Sequence, residues 1–519
     1  MKSKFIIALL ATTTLGLAGT ARAQEAQADP DVKVGQEAPQ TNEDLAARSA
    51  FLEAQIQALQ AQIDELKGQV TKATPTWRGA PQWSDPETGF TFKPRGRIQY
   101  DTAFIENPKD AIVTRNLGFN SRIRRIRLGA EGTVPGGFGY KFEMDYANGS
   151  VGFGDAVITY APAGKPLSFI IGNHETFESL EQITSSRFIS FLERAQMNDA
   201  FGASRRLGVS LNYQNSTNTL RFGGGFFAGH SIDGSFDNDS WIAAARLTYA
   251  AQMMGGTVHF GANAQYRDFQ SNNCAATCPV APPSTSGAPS TNQLARYRAR
   301  PFLQTTDVRF VDTGNFAAHS DTILGLELAG VFKAFHFAGE AQWVKVNAYS
   351  PGDLAAGLDA FGLASNTALV PSDDPTFFSW YAEVGYFLTG ETRGYRNGAW
   401  DRTTPLKPFS KGGWGALQVN ARYDYLDLTT DKLMTAFSNN FTTGVASASN
   451  SLTRGGKQQG FLASLIWIPE SYMRFLLQFA HTRVTGGPSA TTVVPVSSDP
   501  ANERGYSSNS VATRVQIDF

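Results

Sequence analysis

Cysteine is nearly absent: the 519-residue chain has two, Cys274 and Cys278. So few thiols exclude a disulfide scaffold and a cysteine metal cage. The pair sits in a loop rich in Ala, Pro, Ser and Thr, without histidine between residues 270 and 290, which leaves a small local disulfide in an oxidising compartment. An excess of either charge is missing as well. Lys plus Arg number 45 and Asp plus Glu 46, so the chain lacks the basic footprint of a nucleic-acid binder. No apolar run of about 18 residues follows the first 25 positions, which rules out helical membrane spans. The six histidines, at 174, 230, 259, 319, 336 and 481, stand singly, outside any zinc or nucleophile motif, so the sequence offers no catalytic site, metal site or cofactor. What is plentiful is glycine (50), phenylalanine (37) and tyrosine (16), with only 18% charged residues, a balance that favours strands.

The N-terminus reads as an export signal. Lys2 and Lys4 precede an apolar core from Phe5, and Ala21-Arg22-Ala23 offers small residues for cleavage, so residues 1–23 are expected to be removed. Residues 24–40 are rich in Ala, Gln, Asp, Glu and Pro, a composition that predicts disorder. Within 41–73, Leu45, Leu52, Leu59 and Leu66 recur every seven residues, with Ile56, Ile63 and Val70 four residues on. This a/d pattern predicts a short coiled coil whose stoichiometry follows from the body it is attached to; a single amphipathic helix lying on that body is the alternative.

From residue 77 to 519 the pattern changes to period two. In Phe138-Gly-Tyr-Lys-Phe-Glu-Met-Asp-Tyr146 one face is aromatic and aliphatic while the other carries Lys141, Glu143 and Asp145. Sixteen such segments begin near residues 97, 122, 138, 155, 167, 206, 219, 241, 257, 321, 335, 377, 414, 460, 472 and 510. Connections after even-numbered segments are short and those after odd-numbered ones are mostly longer, with one exception, Gly390 to Gly413, long where a short turn is due. An even strand number with turns short on one side predicts an all-β, 16-stranded antiparallel transmembrane barrel, bathed in outer-membrane lipid and preceded by the coiled-coil helix.

Several separated motifs carry a family resemblance. Arg124-Arg-Ile-Arg127, Asp155 to Tyr160, Ile171-Gly-Asn-His-Glu-Thr-Phe-Glu-Ser-Leu180, Phe191-Leu-Glu-Arg194, Arg205-Arg-Leu-Gly208, Tyr386 to Arg393 and Lys407-Pro-Phe409 resemble, in order, the phosphate-selective porin O and P family over roughly residues 95–519. The resemblance implies a homotrimeric outer-membrane porin of a Gram-negative bacterium, with its third outer loop, here residues 173–205, folded into the lumen. Substrate is less determined, since the family's phosphate-selecting basic residues cannot be placed here one by one.

Placing the aromatic face toward lipid directs Arg97, Arg125, Arg127, Lys141, Arg206, Arg221, Arg246, Arg422 and Arg514 inward, with Arg187 and Arg194 on the loop. Arginine suits oxyanions because its planar fork donates paired hydrogen bonds and never loses its charge. The anion-binding candidates are therefore Arg125, Arg127, Lys141, Arg187, Arg194, Arg206, Arg221, Arg246 and Arg422, with small anions such as phosphate as solutes. Acids share these faces, among them Glu143, Asp145, Glu340, Glu383 and Asp424, so pairing within the wall is the competing role for each arginine. Full pairing would give a weakly selective general porin, and a plugged lumen a structural anchor.

Overall fold

Alternation decides which residues face outward. Along Gly505–Asp518, Ser508, Ser510, Ala512, Arg514, Gln516 and Asp518 are buried, while Val511, Val515 and Ile517 between them are exposed. The computed structural model describes residues 42–519 except 74, 78, 114, 148, 150, 233–239, 270–293, 352–368, 441–444, 450–454 and 494–502. The expected signal segment 1–23, residues 24–40 and the Cys274–Cys278 pair lie outside the described residues.

Sixteen strands form the barrel. They are β1 Thr91–Ile105, β2 Gly118–Val134, β3 Phe138–Asp145, β4 Gly152–Tyr160, β5 Leu167–Glu175, β6 Arg205–Gln214, β7 Leu220–Ala228 and β8 Trp241–Met253. There follow β9 Gly256–Asp268, β10 Phe316–Phe332, β11 Phe335–Ala348, β12 Thr376–Phe387, β13 Ala416–Asp427, β14 Lys457–Glu470, β15 Met473–Thr485 and β16 Gly505–Asp518. Each pairs antiparallel with its neighbour in sequence, and β16 returns to β1 from Ser510 opposite Ile105 to Asp518 opposite Arg97. Closure leaves no unpaired edge in lipid. The sixteen segments expected from periodicity are these sixteen strands.

At the seam, the terminal Phe519 exchanges both backbone hydrogen bonds with Gly96, and its ring lies where a side chain at 96 would begin. Glycine at that position lets the C-terminus lock onto the first strand. Aromatic girdles mark both ends of the apolar band, with Phe138, Tyr160 and Phe169 near the short turns and Trp241, Tyr266, Trp343 and Phe378 near the long loops.

The helix α1 spans Asn42–Ala73, and its residues up to Gln69 belong to a separate unit. Its Leu52, Ile56, Leu59 and Ile63 are each about half exposed among the described residues.

Candidate functional site

Three segments fill much of the barrel. The first joins β5 to β6, residues 176–204, and holds two short helices, α2 Leu180–Ile183 and α3 Gln196–Ala200. Ser179 caps α2 through its hydroxyl, and Glu340 on β11 accepts from the backbone N–H groups of Leu180 and Glu181, both at 2.9 Å. Further along, Gln478 accepts from the Leu192 N–H at 2.8 Å, Asp424 from that of Gln196 at 3.2 Å, and Arg514 donates to the Leu192 carbonyl at 2.6 Å. The loop is strapped to the wall formed by β11 to β16, and open space remains against β1 to β6.

The second segment is residues 294–315, before β10, whose Tyr297, Phe302, Leu303 and Phe310 are buried. The third is the long turn 388–415 between β12 and β13. Its two-stranded hairpin, Gly394–Arg396 with Ala399–Asp401, enters from the short-turn side. Arg246 donates to the Gly398 carbonyl at 2.8 Å, Tyr395 shares a hydrogen bond with His259 at 2.7 Å, and Arg393 pairs with Glu383 at 3.0 Å.

Two chambers persist on the open side. The upper one, about 280 Å³, is lined by six arginines, Arg124, Arg125, Arg127, Arg194, Arg205 and Arg300, and by only two acids, Glu193 and Asp199. Arg124 forks onto Glu193 at 2.7 and 3.0 Å, Arg127 pairs with Glu143 and Asp145 at 2.7 and 2.8 Å, and Arg205 with Asp155 and Glu175, both at 2.6 Å. Arg300 reaches Asp199 at 3.1 Å. Burial pushes the Glu193 carboxyl up, but Arg124 and Arg514 beside it outweigh burial and hold it well below the usual carboxylate range.

Two arginines differ. Among the described residues neither Arg125 nor Arg194 has a carboxylate partner: Arg125 donates to Gln99 at 2.8 Å and leaves its Nε without a partner. Arg194 donates to the carbonyls of Glu181, Gln182 and Thr184 at 2.8, 3.2 and 2.8 Å.

The lower chamber, about 580 Å³, begins where Arg205 meets Asp155 and Gln182 donates to Glu175 at 2.8 Å. Lys93, Glu131 and Lys141 on β1 to β3 line one stretch of its wall. Val157 and Ile170 on β4 and β5, with Phe177 and Ile183 from the loop, line the next.

Of the nine candidates, the structure gathers Arg125, Arg127 and Arg194 in the upper chamber and places Lys141, bonded to Asp155, in the lower. Arg187 lies on the loop, 3.5 Å from Asp518. Arg206 donates to the Arg205 carbonyl at 2.8 Å, and it is Arg205 that lines the chamber. Arg221 bonds Asn397 on the inserted turn at 3.0 Å. Arg246 is forked onto Glu327, and Arg422 is held by Glu383 at 2.6 Å and by Glu181, between the rings of Phe191 and Tyr381. These last two serve as wall and loop fasteners.

Arg124 was not among the candidates because strict alternation turns it outward. A bulge reverses this: Gln99 faces Arg125 and Tyr100 faces Ile123, so Arg124 is an extra residue and both arginines enter the lumen. The signal was present in Arg122-Ile-Arg-Arg-Ile-Arg127, whose outward isoleucines lie three apart where period two allows only even spacing.

A closed barrel with a loop-narrowed, charged lumen is a membrane pore. The model of the phosphate-selective porin O and P family matches residues 92–519, and the chain belongs to that family of outer-membrane porins. It is 34% identical over 453 residues to an uncharacterized protein of Caulobacter vibrioides, covering 86% of this chain and 77% of that one. Among solved structures it is similar to an anion-selective porin from Comamonas acidovorans, with 11% identity, TM-score 0.44, 83% of this chain and 100% of that one. A second is OprB of Pseudomonas putida, with 8% identity, TM-score 0.44, and 82% and 94% of the two chains. A third is the trimer form of OmpT from Vibrio cholerae, with 11% identity, TM-score 0.41, and 83% and 99%.

Proposed function

We propose that this porin is an anion-preferring channel that admits small anions, phosphate and related oxyanions among them, by passive diffusion. The observation that carries the reading is the upper chamber, whose described lining has six arginines and two acids, and where the hydrogen-bond partners of Arg125 and Arg194 among the described residues are all neutral. An anion that loses hydration water at a narrow point needs fixed donors in its place, and a guanidinium supplies two at once. Weakly held sites in series attract an ion without trapping it. The test is block of chloride current by millimolar phosphate in planar bilayers, expected in the native channel and weakened in Arg125→Gln and Arg194→Gln; absence of block in the native channel removes phosphate from the solutes.

A second reading, a weakly selective general porin, is favoured by the pairing of Arg124, Arg127, Arg205 and Arg300 with carboxylates, which cancels most of the chamber's charge. We further infer export with loss of residues 1–23 and assembly as a homotrimer, with the exposed seam of α1 closing against its copies.

A further inference from the structure

An apolar surface offers a permeating ion neither water nor dipoles, so a channel for bare ions has no use for one. The lower chamber nevertheless presents four half-buried apolar side chains, Val157, Ile170, Phe177 and Ile183. Val157 and Ile170 are not part of the lipid-facing surface, which at these strands is carried by the neighbouring Ile158 and Ile171, 62% and 59% exposed. Threonine fits the same pleat, as Thr133 and Thr159 do on this wall, so strand formation alone does not call for the aliphatic residues. Lys141 and Val157 are register partners, as are Thr159 and Ile170, so the apolar patch starts one strand away from the ion pair of Lys141 with Asp155. Arg205 lines the upper chamber and bonds Asp155 and Glu175, which line the lower one, so the ion pairs of these three residues form the boundary between the chambers. The volume of about 580 Å³ falls in the range of roughly 300–1,000 Å³ usual for small-molecule sites.

We propose that the lower chamber is a subsite for small organic carboxylates with an apolar body, aromatic or branched. The carboxylate faces the upper chamber, where Arg125 and Arg194 have neutral hydrogen-bond partners, and the body lies against Val157, Ile170, Phe177 and Ile183. This rests on the anion-channel reading above and adds discrimination among anions of equal charge.

The experiment compares benzoate, acetate and phosphate as blockers of chloride current through the full-length channel in planar bilayers. Benzoate and acetate share a head group and differ in the body. Half-block by benzoate is expected at roughly tenfold lower concentration than by acetate, the gain from burying one small ring. In Val157→Thr/Ile170→Thr, and separately in Ile183→Ser, the benzoate-to-acetate ratio is expected to fall toward one. Equal half-block concentrations for the two acids in the native channel overturn the proposal, whether or not the variants assemble; a ratio that survives in conducting variants overturns the location. Equal block by both acids with anion selectivity kept removes the subsite alone, whereas a cation-selective reversal potential removes the anion reading beneath it.

Discussion

Arg124 and Arg125 are chain neighbours with opposite prospects. Arg124 is neutralised by a forked pair with Glu193, whereas Arg125 donates to Gln99 and, among the described residues, its Nε has no partner. Removing either deletes one positive charge, but the consequences separate. Arg125→Gln is expected to weaken phosphate block about tenfold or more while leaving conductance near native, since one charge-assisted hydrogen bond contributes about 1.5–3 kcal/mol. Arg124→Gln leaves Glu193 facing the chamber with less compensation and is expected to move the reversal potential toward the cation side. Measuring both in one salt gradient checks the contrast. Which arginines enter the lumen was legible wherever the strand keeps period two, as at Arg97, Arg127 and Arg514. It failed at Arg124, because a one-residue bulge flips the parity, and at Arg205, because the loop end of β6 has left regular alternation.

For the elements, the strapped loop is expected to set the width of the passage. Glu340 holds the start of α2 through two backbone N–H groups and also accepts from the Tyr381 hydroxyl at 2.7 Å. Shortening residues 180–200 is expected to raise single-channel conductance, and an unchanged value would mean the loop is not the constriction. The milder Glu340→Gln keeps the shape but halves the accepting capacity, and is expected to give a noisier open level in single-channel records as the loop gains freedom. The loop's length was plain in the sequence. Its direction across the barrel was not, because that is fixed by partners as remote as Asp424, Gln478 and Arg514. The turn 388–415 shows the same division: its length broke the short-turn rule, yet its hairpin's entry into the lumen depends on Arg246, His259 and Glu383 from three other strands. Deleting Gly394–Asp401 is expected to open additional lumen and raise conductance.

At the scale of the whole molecule, closure explains both the fold's legibility and its stability. In lipid every backbone group needs a partner, and a sheet meets that demand by returning to its first strand, so sixteen alternating segments of even parity left one architecture. The purified protein is expected to run as a detergent-resistant trimer of mostly β circular dichroism. Removing residues 42–73 should reduce its assembly only modestly, because a seam of about three heptads adds little to contacts between barrels; complete loss of trimer on gel filtration would instead make α1 the organiser. The central claim is that the lumen prefers anions, and the reversal potential of single channels in a tenfold potassium chloride gradient tests it most directly. A zero-current potential displaced toward the chloride equilibrium value is expected, and a displacement toward the potassium value would contradict an anion-preferring lumen.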